Sequence, residues 1–139
     1  MSSIGTIIGS LAALFIIFGE SPARIAAAQD QPIKRTELHR SDLADIVGKE
    51  AVIYIADVMP GAQGGRHTHY GDEYVYVLEG TLVVTPDGQQ PITLKKGDVA
   101  HIAPKDGVHA AKNASNSEPA KVLVFLVAEK GKPLAEPAK

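Results

Sequence analysis

From residue 51 onward the chain alternates short apolar runs with turn-forming residues. Pro60-Gly61 closes the first run, and Pro86-Asp87-Gly88 separates two later ones. Apolar, β-branched runs bounded by Gly and Pro predict strands rather than helices. We predict strands at residues 51–59, 73–79, 81–85, 92–94, 98–103, 108–112 and 121–128. Many short antiparallel strands without helices predict an all-β domain that closes into a barrel or jelly roll, because closure removes exposed sheet edges.

The first 28 residues differ from the rest of the chain. The stretch from Ile4 to Phe18 is apolar except for Gly, Ser and Thr, and Ala26-Ala27-Ala28 precedes Gln29 as a small-x-small cleavage site. We predict a secretory signal peptide at 1–28, and therefore a periplasmic or extracellular protein. The alternative is an uncleaved membrane anchor. It is less favoured because a 15-residue helix spans about 22 Å, short of a ~30 Å hydrocarbon core.

Composition indicates a single domain. The chain has 139 residues, of which 45% are hydrophobic, which suits one globular domain. We interpret 29–47 as a polar, irregular arm, 48–130 as the barrel and 131–139 as a loosely ordered tail. The chain has no cysteine, which excludes disulfides and a lipid-modified cysteine anchor. A formal net charge of −2 makes nucleic acid an unsuitable partner.

The segment from Gly61 to Gly80 carries the main chemical signal. It reads Gly-x5-His67-x-His69-x3-Glu73-x6-Gly. Residues two apart on a strand face the same way, so His67 and His69 share a face, and Glu73 keeps the same parity after a short interruption. His109 lies downstream as a fourth candidate ligand. Several imidazoles with one carboxylate are typical of a catalytic transition-metal site. A histidine on an apolar strand can instead be purely structural, but this spacing favours metal binding.

This segment resembles the first conserved motif of the cupin superfamily and matches it at every defined position. The second cupin motif, Gly-x5-Pro-x-Gly-x2-His-x3-Asn, resembles residues 97–113, with its His-x3-Asn end at His109 and Asn113. Pro104 arrives one residue late and Gly107 lies one residue closer to the histidine, which indicates a changed turn before the fourth ligand. The resemblance covers about residues 48–130.

The resemblance implies a cupin barrel in which His67, His69, Glu73 and His109 point inward and bind one divalent transition metal per chain. His67, His69 and Glu73 would come from one hairpin, and the resemblance pairs His109 with them. Octahedral coordination would leave two positions for water, O₂ or a bidentate small-molecule substrate. The ligands suit Fe, Mn, Ni, Co, Cu or Zn, and the sequence does not choose among them. A homodimer is expected by resemblance only.

Other residues near the motifs receive weaker assignments. Tyr70, beside the ligands, is the candidate for a phenol that faces the substrate. Tyr74 and Tyr76 have opposite parity to Glu73, so they pack between sheets or at a dimer interface. His101 is expected to face outward, since Ala100 and Ile102 form the inward pair. Asn113 is expected to support the strand of His109. The alternative hypothesis is that Asn113 orients the His109 side chain for metal binding. Val75 and Val77 would line a dry pocket around the metal.

Two classes of function remain open. One is an enzyme that resembles the quercetin dioxygenase type of cupin, an oxidoreductase in which Glu73 could leave the metal and act as a base. A non-oxidative lyase, isomerase or decarboxylase would instead use the metal as a Lewis acid. The other class is a binding protein that holds a metal or small ligand without converting it, since one fold supports several functions. The intact set of four ligands favours an enzyme.

Overall fold

Two five-stranded sheets make up the part of the chain that the structure describes. The structure is a computed structural model that describes residues 33–104 and 107–139. The predicted signal peptide at 1–28 lies outside the described residues. The strands are β1 (Ile33–Asp42), β2 (Lys49–Val58), β3 (His67–Thr68), β4 (Gly71–Glu79), β5 (Thr81–Pro86), β6 (Ile92–Lys95), β7 (Val99–Ile102), β8 (His109–Asn113), β9 (Ala120–Glu129) and β10 (Glu136–Pro137).

The sheets have the strand orders β1-β2-β9-β4-β7 and β10-β3-β8-β5-β6. Every strand pair between these elements is antiparallel. The predicted all-β jelly roll is therefore confirmed. Among the described residues, no helix is long and apolar enough to cross a membrane.

The core lies between the two sheets and follows the period of two along each strand. In β2, Val52, Tyr54, Ala56 and Val58 are buried, while Ile53 and Ile55 between them are partly exposed. The core cluster also draws on the inward residues of the other long strands: Val75, Val77, Leu82, Val84, Leu94, Ile102, Ala120, Val122, Val124, Leu126 and Ala128. It contains none of the candidate metal ligands, so burial of aliphatic side chains stabilises the barrel independently of them.

Gly71 lets the chain pass closely against β9 as it enters β4. A Cβ built on Gly71 would lie 1.8 Å from the carbonyl oxygen of Val127. Real Cβ atoms do not approach a backbone oxygen this closely, so any larger residue would push the two paired strands apart. The position therefore requires glycine for steric reasons, two residues before Glu73.

The predicted irregular arm is corrected by the structure, because it contains β1. This strand pairs with β2 from Ile33 opposite Val58 to Asp42 opposite Glu50, with an irregularity between Glu37 and His39. All of its residues except the half-buried Ile33 are exposed. Strand β1 lies at a sheet edge and is held by backbone hydrogen bonds to β2. It therefore does not need the apolar alternation by which a half-buried strand is recognised in a sequence.

The predicted loose tail is also corrected, because it contributes β10 to the second sheet. Glu136 pairs with Thr68 and Pro137 with His67, and the Ala138 amide donates a 2.9 Å hydrogen bond to the Arg66 carbonyl. The sequence does not indicate this strand, because residues 131–139 contain two prolines and no alternation of apolar and polar residues. The tail thus runs alongside the segment that carries the first two histidines.

Candidate metal centre

Three histidines and one glutamate meet in the interior, and both sheets contribute. His67 on β3 is the register partner of His109 on β8, and their ring centroids are 4.5 Å apart. His69 follows β3 directly, whereas Glu73 lies on β4 in the facing sheet. The expectation that His67, His69 and Glu73 share one hairpin is therefore wrong. The chain crosses between sheets after His69, so Glu73 reaches the histidines from the opposite side.

The four side chains converge within a few ångströms. One ring nitrogen from each of the three histidines lies within 4.8 Å of the others. The Oε2 atom of Glu73 is 3.1 Å from Nε2 of His69 and 3.4 Å from Nε2 of His109. The cluster is shielded from solvent, since His67 is 9%, His69 7%, Glu73 5% and His109 2% exposed. The four side chains named from the sequence therefore lie together, and their role as metal ligands stays a prediction.

Backbone carbonyls orient two of the imidazoles. Nδ1 of His67 lies 2.8 Å from the Gly65 carbonyl oxygen, and Nδ1 of His69 lies 2.5 Å from the Leu134 carbonyl oxygen. Each Nδ1–H can donate to its carbonyl, which leaves Nε2 unprotonated and directed to the cluster. Hydrogen bonds of this kind fix the tautomer and ring direction of metal-binding histidines.

The donor set fits a divalent transition metal. Within the described part of the chain, Nδ1 of His109 is buried and has no hydrogen-bond partner, and Nε2 of His69, also buried, faces Oε2 of Glu73 at 3.1 Å. A buried polar atom left without a partner costs about 1–3 kcal/mol. Coordination of a metal would give unprotonated ring nitrogens of this cluster a partner, and Glu73 would offset part of the ion's charge. Three imidazoles and one carboxylate are also the ligand types that such ions prefer.

The ionisation of Glu73 and His67 agrees with this role. Burial would raise the pKa of Glu73, but hydrogen bonding to His109 and His69 outweighs it and holds the pKa far below the usual value. Burial is the main cause that lowers the pKa of His67. Burial also acts to lower the pKa of His69, but contact with Glu73 reverses the outcome and raises it. Glu73 is therefore an anion and His67 a neutral imidazole near pH 7, as ligation requires.

A small cavity of about 40 Å³ adjoins the cluster. Glu73, His67 and His109 form its polar wall, together with Tyr54 and Arg35. The remaining lining is aliphatic: Ile33, Ala56, Val58, Val75, Leu82, Val84, Ile102, Ala111, Val122 and Val124. The prediction that Val75 lines the pocket is confirmed, while Val77 is fully buried in the core instead. A cavity this small holds only a few atoms beside the ligands.

Tyr54 and Arg35 belong to this cavity wall, although the sequence does not indicate it. The Tyr54 hydroxyl donates a 3.2 Å hydrogen bond to Oε1 of Glu73. Burial, followed by the charge of Glu73, raises the pKa of Tyr54, so the phenol stays protonated and remains a donor. Arg35 belongs to β1, where the sequence showed only a polar arm. The period of two along residues 51–59 marks Tyr54 as inward-facing, but nothing in the sequence pairs it with Glu73.

The structure also places the remaining candidates. Tyr70 donates its hydroxyl hydrogen bond to the Glu136 carboxylate, and it does not line the cavity that holds Glu73. His101 faces outward, as predicted, with Nε2 2.8 Å from Oδ1 of Asp72. Tyr74 and Tyr76 lie on the outer face of their sheet, 40% and 42% exposed. They therefore do not pack between the sheets of this chain.

Asn113 supports the end of β8, as predicted. Its Nδ2 donates to the carbonyls of Val58 at 3.1 Å, Met59 at 3.2 Å and Glu118 at 2.8 Å. Its Oδ1 accepts a 2.9 Å hydrogen bond from the Ser115 amide. These bonds tie the strand of His109 to the end of β2. The altered turn before β8 closes with a hydrogen bond from the Gly107 amide to the Pro104 carbonyl, and His109 still reaches the cluster.

The fold and this cluster define a small β-barrel with a candidate metal site, and comparison with known proteins identifies the family. The family model described as "Cupin domain" matches residues 54–126. The chain belongs to the cupin family. No curated protein sequence matches it significantly.

Solved structures share the fold at low sequence identity. A cupin superfamily protein from Desulfitobacterium hafniense is 21% identical with a TM-score of 0.58, over 87% of this chain and 100% of that one. A double-stranded β-helix protein from Klebsiella pneumoniae is 21% identical with a TM-score of 0.62, over 86% and 96%. A DMSP lyase from Ruegeria pomeroyi is 19% identical with a TM-score of 0.53, over 63% and 43%. At these identities the likeness concerns the fold alone.

Proposed function

We propose that the protein is a metal-dependent enzyme that oxidises a small organic molecule in the manner of a dioxygenase. One observation carries this proposal: an anionic Glu73 and a cluster of three imidazoles, two of which line the cavity, stand beside a mainly aliphatic space. A redox-active divalent ion held by His67, His69, Glu73 and His109 would supply activation of O₂ or of a chelating substrate. The aliphatic lining excludes water from the reacting groups and strengthens electrostatic interactions among them.

Glu73 is the candidate for proton transfer. Its Oε2 faces His69 and His109, whereas Oε1 accepts the hydrogen bond from Tyr54. The lowered pKa keeps the carboxylate ionised but makes it a weak base. As a weak base it would accept a proton only from a substrate group that the bound ion has made more acidic. Tyr54 would hold the carboxylate in place while the proton moves.

Tyr70 remains the candidate for a second catalytic group. Its phenol is bound to Glu136, so it could reach a substrate only if that contact opens. We expect Tyr70→Phe to lower turnover without changing metal content if Tyr70 is catalytic. Unchanged turnover would show that Tyr70 only anchors the tail.

Two alternatives remain. A lyase, isomerase or decarboxylase would use the same ligands with a metal that acts only as a Lewis acid, and the shared fold of the DMSP lyase supports this class. A binding protein would hold the metal or a small ligand without converting it, and the small volume of the cavity agrees with that role.

Metal analysis of the purified protein, paired with oxygen uptake on small diketones and small thiols, tests the proposal. We expect near one equivalent of metal and substrate-dependent uptake that is lost in Glu73→Gln and retained in His101→Ala. Metal without uptake would favour Lewis-acid chemistry or binding, and absence of metal would contradict the proposal. Release of product without oxygen consumption would establish the non-oxidative class.

We also propose that the protein is exported and forms a homodimer. The leader-like segment at 1–28 supports a periplasmic or extracellular location. The outer face of the first sheet exposes Tyr74, Tyr76, Val99 and Phe125, and an apolar surface of this kind suits a dimer interface. Light scattering tests the dimer: a monomeric mass at micromolar concentration would refute it.

A further inference from the structure

Arg35 stands where the cavity beside the candidate metal ligands meets an outer depression. It lines the inner cavity together with Tyr54, Glu73, His67 and His109. It also lines an adjoining, more open depression of about 280 Å³, with Arg66 and the backbone at Gly64 and Gly65. Ile33 and His67 border both spaces as well. A molecule that passes from the outer depression to the ligands would therefore pass the Arg35 guanidinium.

The position of Arg35 follows from the pairing of β1 with β2. Arg35 is opposite Ala56, and Ile33 is opposite Val58. Residues two apart on a strand share a face, so Ile33 and Arg35 both point toward the cavity. The methyl side chain of Ala56 leaves room across the strand pair for the long side chain of Arg35.

Arg35 has no carboxylate partner among the residues that the structure describes. The other described arginines are all paired: Arg40 with Glu37 and Glu50, and Arg66 with Asp87. Arg35 shares the cavity wall with Tyr54 and Glu73, so its positive charge acts on the space beside the candidate ligands. A guanidinium presents a planar set of donors that matches a carboxylate with two hydrogen bonds.

The charge balance of the wall favours an anion. Glu73 is the one carboxylate that lines the inner cavity, within the described residues. With a divalent ion bound, the ion, Glu73 and the solvent-exposed Arg35 sum to about two positive charges, which attract a small anion to the entrance of the cavity. The aliphatic lining selects an organic anion over a fully polar one such as phosphate.

We propose that the site takes a small organic carboxylate, whose carboxylate group is held by Arg35 at the inner end of the depression while its apolar end enters the cavity beside Glu73. This inference builds on the proposed function by naming the class of substrate. Arg35 acts as a specificity residue and is not a metal ligand.

Calorimetric titration of the metal-loaded protein with butyrate and with its uncharged analogue butyramide tests the proposal. We expect butyrate to bind more tightly than butyramide. Arg35→Gln should weaken butyrate binding about ten-fold, the typical loss for a charge-assisted hydrogen bond, and leave butyramide binding and metal content unchanged. Arg35→Lys, which keeps the charge without the planar donors, should recover part of the affinity.

Two control variants and one competing ligand sharpen the result. Lys34→Gln removes one positive charge from the same strand on the opposite face, and Arg66→Gln removes the paired arginine of the outer depression. We expect both to bind butyrate as the unaltered protein does. An effect of Arg66→Gln in place of Arg35→Gln would overturn the proposal, as would equal losses in Lys34→Gln and Arg35→Gln. Phosphate that binds more tightly than butyrate would overturn the organic assignment.

The readout is a dissociation constant, so it does not depend on turnover. Arg35-dependent binding of butyrate without catalysis would leave this inference standing while the proposed enzyme fails. Should the protein hold no metal, the same comparison on the metal-free protein still decides whether Arg35 selects carboxylates. Butyrate that binds neither form would refute the inference.

Discussion

The Tyr54 hydroxyl on β2 donates a hydrogen bond to the Glu73 carboxylate on β4. The two strands belong to the same sheet, with β9 between them. Tyr54 lies only 2% exposed, and Glu73 5%. The bond holds Oε1 in place while Oε2 faces His69 and His109. Tyr54 thus orients a candidate ligand through this hydrogen bond.

Tyr54→Phe tests this arrangement. The substitution removes one oxygen and leaves Oε1 of Glu73 without its donor, so the carboxylate should turn more freely. Loss of a partner of this kind typically costs ten- to a hundred-fold in metal affinity. We expect a decrease in that range, measured by competition with a chelator, in a protein that stays folded. Tyr76→Phe, on the exposed outer face, should leave the affinity unchanged, and an equal effect of both variants would contradict the orienting role.

Removal of a histidine ligand should abolish metal binding while the barrel stays folded. We expect His67→Ala and His109→Ala to hold far less than one equivalent of metal by elemental analysis, because each removes a buried imidazole from the cluster. The far-ultraviolet circular dichroism should not change, since the aliphatic core contains neither residue. His101→Ala, which faces solvent, serves as the matched control. A variant with full metal content would remove that residue from the ligand set.

The C-terminal tail should influence metal affinity through its backbone. Deletion of residues 133–139 removes the Leu134 carbonyl that orients His69, as well as the pairing of β10 with β3. We expect metal affinity to fall by ten- to a hundred-fold in this truncation, again by chelator competition. Glu136→Gln keeps the backbone and should retain the affinity. A truncated protein that binds metal normally would show that the Gly65 carbonyl and the pairing of β3 with β8 are enough to position the histidines.

Gly71→Ala should destabilise the barrel strongly. The added methyl group would lie 1.8 Å from the Val127 carbonyl oxygen, so β4 and β9 would have to separate. We expect a loss of at least about 3 kcal/mol in the free energy of unfolding by denaturant titration. Gly65→Ala is the control, because a Cβ there meets nothing within 4 Å and should cost under about 0.5 kcal/mol. Equal stability of the two variants would contradict the steric account.

We expect the chain to be exported and its mature form to begin near Gln29. The small residues Ala26 and Ala28 suit the cleavage site. Intact-mass analysis of material from the extracytoplasmic fraction measures the mature chain directly. A mass that retains residues 1–28 would instead support a membrane anchor.

The sequence by itself determined the seven strands from β2 to β9 other than the two-residue β3, and it also determined the four candidate ligands. Strand preference and turn chemistry are local properties, so apolar runs between Gly and Pro suffice to locate β2, β4 and β9. The four candidate ligands could be named because the spacing from His67 to Glu73 resembles the first cupin motif and the His-x3-Asn end at His109 resembles the second.

Only the tertiary structure decided what surrounds those ligands. β1 and β10 form because neighbouring strands offer unpaired backbone groups, and no apolar alternation marks either one. Arg35 reaches the cavity only through the register of β1 against β2, and Tyr54 meets Glu73 only because β9 brings their strands into one sheet. Such contacts depend on pairing between distant segments, and the local pattern of residues does not encode that pairing.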